Sequence, residues 1–252
     1  MDTSSSSRPL SPVALGGFLL AVLAGLGLLL SGVSNRLQWL DFRSALTVFR
    51  WAAYGGIAAL PLSIIGMILT RAGSTKGGFK LAAIGLIVSL VVVVIPLRWY
   101  QQVQRVPFIH DITTDLENPP PFVAVLPLRD GAPNPAEYGG PEIAEQQRQG
   151  YPDLAPLFVH APLPRAFELA LTTARAMGWE IVAAEAGEGR IEATATTFWF
   201  GFKDDVVVRI LPTGTGSKID VRSVSRVGRS DVGANAERIV AYLAGIASKG
   251  NS

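Results

Sequence analysis

Three long stretches without a charged residue dominate the first hundred positions of the chain. They cover residues 9–35, 51–70 and 81–97, and a lysine or arginine stands at both ends of each. A hydrocarbon core about 30 Å thick requires about 20 apolar residues in a helix. The first two stretches reach that length directly, and the third reaches it once the aromatic residues at its ends lie in the interface. The pattern therefore predicts three transmembrane helices.

A cleaved signal peptide is the alternative interpretation of the first stretch. Its apolar run is longer than the roughly 7–15 residues usual in such a segment, which favours an uncleaved helix. None of the three stretches contains an ionisable residue, so the helices are predicted to form an anchor and not an ion path. Small residues four positions apart recur in each stretch, as they do where membrane helices pack closely: Ala21 and Gly25, Gly55 and Ala59, Gly85 and Ser89.

The two loops between these stretches differ in charge. Residues 71–80 carry three basic residues and no acid, which is typical of a cytoplasmic hairpin. Residues 35–50 carry three arginines and Asp41, and their apolar residues recur near helical spacing, which predicts a short interfacial helix. A cytoplasmic N-terminus followed by three spans places the C-terminal region on the outer side of the membrane.

Proline is frequent in the next region, residues 101–160. Its frequency argues against long helices and central strands there. The three consecutive prolines from Pro119 to Pro121 are expected to be extended. Apolar residues such as Phe108, Phe122 and Val125 nevertheless give this region side chains to bury. It is therefore predicted to be an irregular lead-in packed on the domain that follows.

The pattern of residues 161–252 is typical of a compact α+β domain. A helix with Leu171 on its apolar face begins at a proline and ends at Gly178. Four runs with strand alternation follow, at residues 179–184, 190–199, 205–211 and 218–225. A closing helix covers about residues 232–247, with Ser230 or Asp231 as its cap. This order predicts a two-layer domain, in which a four-stranded antiparallel sheet carries both helices on one face.

The chain as a whole is thus predicted to have three parts. Residues 1–100 form a three-helix membrane anchor, residues 101–160 the lead-in, and residues 161–252 an α-β-β-β-β-α domain. Alternation along the strands turns Ile191, Val208 and Val221 toward the helices. The polar residues that alternate with them are expected to line the opposite, solvated face.

Charge divides the chain in the same way. Residues 1–99 carry eight basic and two acidic residues, whereas residues 100–252 carry 14 basic and 18 acidic ones. The basic excess therefore flanks the membrane helices, and no domain has the basic patch of a nucleic-acid-binding protein. The chain has no cysteine, two histidines and no metal-binding motif, so we expect neither a disulfide, a zinc site nor a cofactor.

The candidate chemistry lies on the polar face of the predicted sheet. Arg209, Arg222 and Arg226 share that face, and planar guanidinium groups suit a bound carboxylate or phosphate. A lattice of cross-strand ion pairs, exposed to solvent, is the alternative and the favoured one. Asp111 and Asp115 precede the domain, and we expect them to cap a short helix or to pair with these arginines, which would tie the lead-in to the sheet.

Trp199 stands in an aromatic run that is followed by Asp204 and Asp205. Aromatic residues of this kind pack in a core, at a lipid interface or against another protein. Adjacent carboxylates at the start of a strand point in opposite directions, which argues against a shared metal ion. No residue is assigned a catalytic or metal-binding role. The candidate binding residues are Arg209, Arg222, Arg226, Trp199, Asp111 and Asp115.

Five segments of the chain together form a recognisable pattern: FIHDITTDLENPP, YPDLAP, GWEIV, IEATATTFWFGFKDDVVVRI and IDVRSVSRVGRSDVGANAERI. They resemble a bacterial and plastid family known as domain of unknown function 1499, and the resemblance covers about residues 105–247. The three-span beginning resembles the version of the family found in proteobacteria. Other members look like lipoproteins or plastid lumen proteins, which implies a domain outside the cytoplasmic membrane. The family has no established activity, so the resemblance implies a fold and a location but no chemistry.

These observations favour a multi-pass protein of the bacterial inner membrane whose C-terminal domain lies in the periplasm, with a binding or structural role in the cell envelope. The expected partners are the lipid bilayer and an envelope protein, lipid or polymer. One alternative is a metal-dependent hydrolase that uses Asp111, Asp115 and Asp205, which requires the three carboxylates to converge. The other is a lipid-handling module, which requires an apolar groove between sheet and helices. An enzyme is the less favoured class.

Overall fold

The computed structural model describes residues 8–250, which divide into two compact units. The first, here the helical unit, holds the described residues up to Gln101 together with Trp199–Gly201. The second, the sheet unit, holds the described residues from Gln102 to Phe198 and from Phe202 onward. Each unit has its own packing.

Three helices make up the helical unit: α1 (Pro12–Arg36), α2 (Phe42–Leu69) and α3 (Phe79–Val103). Their mean hydropathies over the most apolar window are 2.5, 1.9 and 2.6, and each is long enough to cross a membrane. This confirms the three apolar helices that the charge-free stretches predict. The separate interfacial helix is wrong, because the side chain of Asp41 caps α2 and the helix continues from Phe42 into the span.

Buried residues, most of them small, recur at alternating spacings of three and four and form the seams of α1 and α2. This spacing keeps one face of each helix toward its neighbour. A Cβ atom on Gly17 would lie 2.9 Å from the backbone nitrogen of Ser63, and one on Gly66 would lie 2.8 Å from Cα of Ala14. The two backbones therefore approach closely at these two glycines, where one of the helices has no side chain. The seam residues are Ala14, Gly17, Ala21, Ala24, Leu28 and Ser31 of α1, and Ala45, Phe49, Ala52, Gly56, Ala59, Ser63 and Gly66 of α2.

The sheet unit combines six strands with three helices and a short 3₁₀ helix. Its strands are β1 (Asp111–Thr113), β2 (Leu157–Val159), β3 (Glu180–Glu185), β4 (Arg190–Thr196), β5 (Lys203–Thr213) and β6 (Gly216–Ser225). Its helices are α4 (Pro141–Gly150), α5 (Leu163–Ala176) and α6 (Ala234–Gly250), and the 3₁₀ helix spans Leu126–Arg129.

The strands form one antiparallel sheet in the order β1-β6-β5-β4-β3, with β2 also paired to β6. The prediction of an α+β domain is confirmed, but the prediction of four strands is wrong. The two additional strands come from the proline-rich region and have three residues each. Runs this short between prolines show no alternation, and pairing with the long β6 alone makes them strands.

Both α5 and α6 pack on one face of the sheet, as the order of elements predicts. Ile191, Val208 and Val221 point into this core together with Phe167 of α5 and Ile239 of α6. The alternation of the strands therefore identified the helix-covered face correctly.

The centre of the apolar face of α5 differs from the prediction. Leu171 is only partly buried, whereas Ala170 is fully buried. The phenolic oxygen of Tyr242 donates a hydrogen bond to the carbonyl of Ala170 at 2.9 Å, which joins α6 to α5. The predicted stop at Gly178 is confirmed, since this glycine has a φ of +73° that side-chain-bearing residues rarely adopt.

The N-terminus of α6 is held by the predicted cap residue Asp231. Its carboxylate accepts hydrogen bonds from the backbone N–H groups of Gly233 and Asn235 at 2.9 and 2.8 Å. Burial raises the pKa of Asp231, and these two bonds oppose that effect. Asn235 in turn donates to Ser225 at 3.0 Å and accepts from Ser223 at 2.7 Å, so both serines lie under the helix.

Candidate functional site: buried ion pairs and the platform they hold

The sheet face opposite α5 and α6 is covered by protein. Glu192, Asp205 and Asp220 on this face have no solvent exposure, and Arg222 has 2%. The side chain of Arg226 is 14% exposed, so the expectation that Arg222 and Arg226 face solvent is wrong. Alternation predicts the direction of a side chain correctly, but it carries no information about a distant segment that lies above it.

Arg222 and Asp111 form a bidentate ion pair that joins β6 to β1. Nε and Nη2 of Arg222 donate to the two carboxylate oxygens of Asp111 at 2.9 and 2.7 Å. The guanidinium lies 5.1 Å from the ring centroid of Phe122 and 5.4 Å from that of Tyr138, within range of a cation–π contact. Burial raises the pKa of Asp111, although the hydrogen bonds and charge of Arg222 oppose this.

Asp205 binds two arginines at once. Nη1 of Arg129 lies 2.6 Å from Oδ2, while Nε and Nη2 of Arg226 donate to Oδ2 and Oδ1 at 2.9 and 2.8 Å. The hydroxyl of Thr194 lies 2.7 Å from Oδ1. Arg129 belongs to the proline-rich region, so this carboxylate also attaches that region to the sheet.

A third group of charges lies nearer the surface. The Oδ2 atom of Asp115 accepts hydrogen bonds from Arg209 at 3.1 Å and from Lys218 at 2.9 Å. Both bases also contact Asp220, at 2.8 and 3.1 Å. Partial burial raises the pKa of Asp115, but hydrogen bonds from Lys218 and a backbone N–H, with the charges of Lys218 and Arg209, outweigh it and lower the pKa.

Glu192 holds the backbone of the covering segment directly. Its two carboxylate oxygens accept hydrogen bonds from the N–H groups of Val123, Ala124 and Val125 at 3.0 to 3.1 Å. Arg190 pairs with the same carboxylate. Charge-assisted bonds of this kind are stronger than bonds between neutral groups. Three successive amides are thus fixed to one fully buried side chain.

The predicted acids meet bases and not one another. Asp111 is bonded to Arg222, Asp115 to Arg209 and Asp205 to Arg226. No group of three potential metal-ligating side chains occurs among residues 8–250. The convergence that the hydrolase alternative requires is therefore not found in this part of the chain. The expected pairing that ties the lead-in to the sheet is confirmed.

Trp199 lies in the other unit. Its indole Nε1 donates to the carbonyl of Leu29 at 3.2 Å, and its ring contacts those of Phe49, Trp99 and Phe200. The other five predicted binding residues share one region of the sheet unit. A binding role for Arg209, Arg222, Arg226, Trp199, Asp111 and Asp115 stays a prediction.

The ion pairs hold an apolar surface in place, which we call the platform (residues 121–128). Phe122 and Val125 of this segment point inward and pack with Val207 and Val224. Three other apolar side chains of the segment are exposed. These are Val123, Leu126 and Leu128, at 52%, 46% and 50% of full exposure. Sequence reasoning assigned the whole segment to buried packing, and the prolines that interrupt it concealed the inward and outward positions.

The two edges of the sheet differ in whether another element covers them. At one edge, the side chain of Gln147 donates to the carbonyl of Thr113 at 2.6 Å and accepts from its N–H at 3.0 Å, so α4 closes the outer side of β1. At the other edge, β3 has β4 as its only strand neighbour among the described residues. The backbone of β3 is thus available on its outer side.

An open groove of about 380 Å³ lies beside the first half of α6. Its lining includes Met177, Trp179 and several alanines, but also the polar side chains of Thr196, Glu237 and Arg238. The lipid-handling alternative requires an apolar groove, and this groove is mixed in character. It therefore does not favour that alternative.

Comparison with known proteins gives one family. The model of a family described as "Protein of unknown function (DUF1499)" matches residues 111–246, which begins at β1 and ends within α6. No curated protein matches the chain.

Proposed function

Because this chain belongs to the DUF1499 family of proteins of unknown function, we propose a role for it from its own geometry: a membrane-anchored binding module. The sheet unit presents the platform to a protein partner of the cell envelope. Three membrane-capable helices precede the sheet unit and provide the anchor.

The platform is the observation that carries this proposal. Buried ion pairs and Glu192 hold its backbone, while Val123, Leu126 and Leu128 remain exposed. Exposed apolar residues that form a patch on a protein commonly mark an interaction site. A rigid patch also loses little conformational entropy on binding, which favours affinity.

Charge supports a protein partner over a lipid surface for this patch. Residues 100–252 carry 18 acids and 14 bases, a net negative charge. Attachment to an anionic bilayer surface relies on clusters of lysine and arginine. Arg129, the basic residue next to the platform, is buried against Asp205 and does not provide such a cluster.

We further propose that the sheet unit lies on the periplasmic side of the inner membrane. The loop between α2 and α3 carries Arg71 and Lys76, Lys80 follows in the first turn of α3, and no acid lies among residues 71–80, which supports a cytoplasmic position for this loop. The chain leaves α3 at the opposite end of that helix. Residues 35–50, between the first two charge-free stretches, also carry three arginines, so the acid Asp41 and not the number of bases distinguishes the two regions.

A pair of reporter fusions tests the location. Alkaline phosphatase fused after Ser252 is expected to be active, and the same enzyme inserted after Gly73 in the α2–α3 loop is expected to be inactive. The two fusions share the anchor, so each is the control for the other. The opposite pattern would exclude a periplasmic sheet unit.

Paired variants test the platform. Leu126→Ser with Leu128→Ser changes two exposed platform residues, and Phe158→Ser with Val240→Ser changes two exposed apolar residues elsewhere in the sheet unit. We expect the platform pair to abolish recovery of the partner after mild crosslinking in native membranes, and the control pair to preserve it. Equal recovery with both pairs would contradict the proposal.

A further inference from the structure

The exposed edge of β3 has a specific arrangement of charge. Glu180 and Glu185 begin and end this strand, and both are exposed. Their partners in β4 are Thr194 and Arg190, which lie four residues apart. β3 needs five residues to cover the same distance, because the register shifts between Ile181 and Ala183.

This register shift turns both glutamates toward the same face of the sheet. Residues directly opposite each other in an antiparallel pair point to the same side. Arg190, Glu192 and Thr194 alternate with the core residue Ile191 and so point to the platform side, which places Glu180 and Glu185 there as well. An insertion of one residue is what a β-bulge provides.

The platform borders this edge. Val182, the residue at the register shift, packs against the cluster that contains Phe122 and Val125. Ala183 lies opposite Glu192, whose carboxylate binds the platform backbone. The edge backbone, the two acids and the platform therefore form one continuous surface on the sheet unit.

A second copy of this chain is a poor match for the edge. Antiparallel pairing of β3 with its own copy about the strand centre would place Glu180 opposite the copy's Glu185 at both ends. Like charges directly opposite each other destabilise a strand pair. A strand with bases at these positions would instead form two favourable cross-strand pairs.

We propose that β3 binds an extended segment of a partner protein by strand addition. The segment carries lysine or arginine at two positions four residues apart, with an apolar residue midway between them. The bases pair with Glu180 and Glu185, and the middle side chain faces Ala183 beside the platform. Main-chain hydrogen bonds to the edge provide affinity and the side-chain pattern provides specificity. This inference rests on the proposed function and specifies the partner's chemistry.

Synthetic heptapeptides bound to the full-length chain in lipid nanodiscs test the inference. The probe is fluorescein-labelled Ser-Lys-Thr-Val-Thr-Lys-Ser, and its binding is read by fluorescence anisotropy. One control peptide has glutamate in place of both lysines. A second control peptide is methylated on the backbone nitrogens of both threonines and of valine. This removes N–H donors for strand pairing along both edges of the peptide.

We expect the wild-type chain to bind the lysine peptide and neither control. Glu180→Lys with Glu185→Lys is expected to weaken binding of the lysine peptide about tenfold, since two attractive pairs become repulsive, and to gain binding of the glutamate peptide. The matched variant is Glu145→Lys with Glu168→Lys, two exposed glutamates on α4 and α5, which is expected to bind as wild type. Binding that survives methylation, or that both variant pairs change equally, overturns strand addition, as does the absence of lysine-peptide binding.

The two proposals fail separately. If the platform pair of serine variants abolishes partner recovery while the lysine peptide does not bind, the binding module stands and strand addition falls. If peptide binding follows the expected pattern while partner recovery ignores the platform, the edge is the site and the platform proposal falls. We also expect the backbone amides of β3 to exchange hydrogen more slowly when the lysine peptide is bound.

Discussion

Replacing Arg222 with alanine is expected to lower the free energy of unfolding of the sheet unit by a large fraction. The guanidinium binds both oxygens of Asp111 and also donates to the carbonyl of Ala136 at 2.8 Å. Its removal leaves the carboxylate of Asp111 buried without a counter-charge. Breaking a buried pair by removing one partner costs about 3–5 kcal/mol. Domains are commonly stable by about 5–15 kcal/mol, so the loss is a large fraction of the total.

The measurement is pulse proteolysis of the full-length chain across a urea series in mild detergent, with the sheet-unit fragment followed on a gel. For a slope of about 2 kcal/mol per molar urea, a loss of 4 kcal/mol moves the midpoint by about 2 M. The double variant Asp111→Leu with Arg222→Met removes both charges. We expect it to be more stable than Arg222→Ala, because no unpaired buried charge remains.

The same variant predicts a pH dependence with a definite sign. Burial raises the pKa of Asp111, and removal of Arg222 takes away the hydrogen bonds and charge that oppose the rise. A raised pKa in the folded state means that the folded protein binds more protons, so stability falls as pH rises through that range. The cost of Arg222→Ala is therefore expected to be smaller at about pH 5 than at about pH 7. A midpoint within about 0.3 M of wild type at neutral pH, or a cost that grows on acidification, would refute this account of the pair.

Three further predictions address the rest of the molecule. Ala170→Asp places a carboxylate in the core and is expected to abolish protease resistance of the sheet unit, whereas Leu171→Asp, at a partly buried position, is expected to cost less; equal effects would contradict the assigned helix face. Glu192→Gln is expected to speed hydrogen exchange of the platform amides several-fold, because one carboxamide oxygen replaces two charged acceptors, and unchanged exchange would mean that Glu192 does not hold the platform. Gly17→Leu is expected to lower the thermal stability of the anchor in detergent and Gly16→Leu to leave it unchanged, since a Cβ atom at the second site meets nothing within 4 Å; the reverse order would contradict the α1–α2 seam.

The helices could be predicted because their signals are local. Three charge-free stretches of membrane-spanning length identify α1, α2 and α3, and only their ends differ. Alternation along β4, β5 and β6 identified the core face, including Ile191 and Val208. These patterns depend on neighbouring residues, which the sequence displays directly.

The remaining features depend on contacts between distant residues. β1 and β2 are strands only because β6 lies beside them. Glu192 meets Val123 across 69 positions of the chain, and Arg129 meets Asp205 across 76. No periodicity links such partners, so the cover over the polar face and the platform above it could not be predicted. The prediction that Asp111 and Asp115 pair with arginines of the polar sheet face was correct. Buried charges are costly unless they are paired, so acids and bases that lie near the same sheet face form ion pairs.

Site-specific photo-crosslinking in intact cells tests the central claim most directly. A photoreactive phenylalanine at position 126 probes the platform, and the same residue at position 240 probes another exposed apolar site, on α6. The account predicts one discrete crosslinked protein from Leu126 and none from Val240, with the crosslinked segment carrying lysine or arginine at two positions four residues apart. Crosslinking from position 240 alone, or the same diffuse products from both positions, would contradict it.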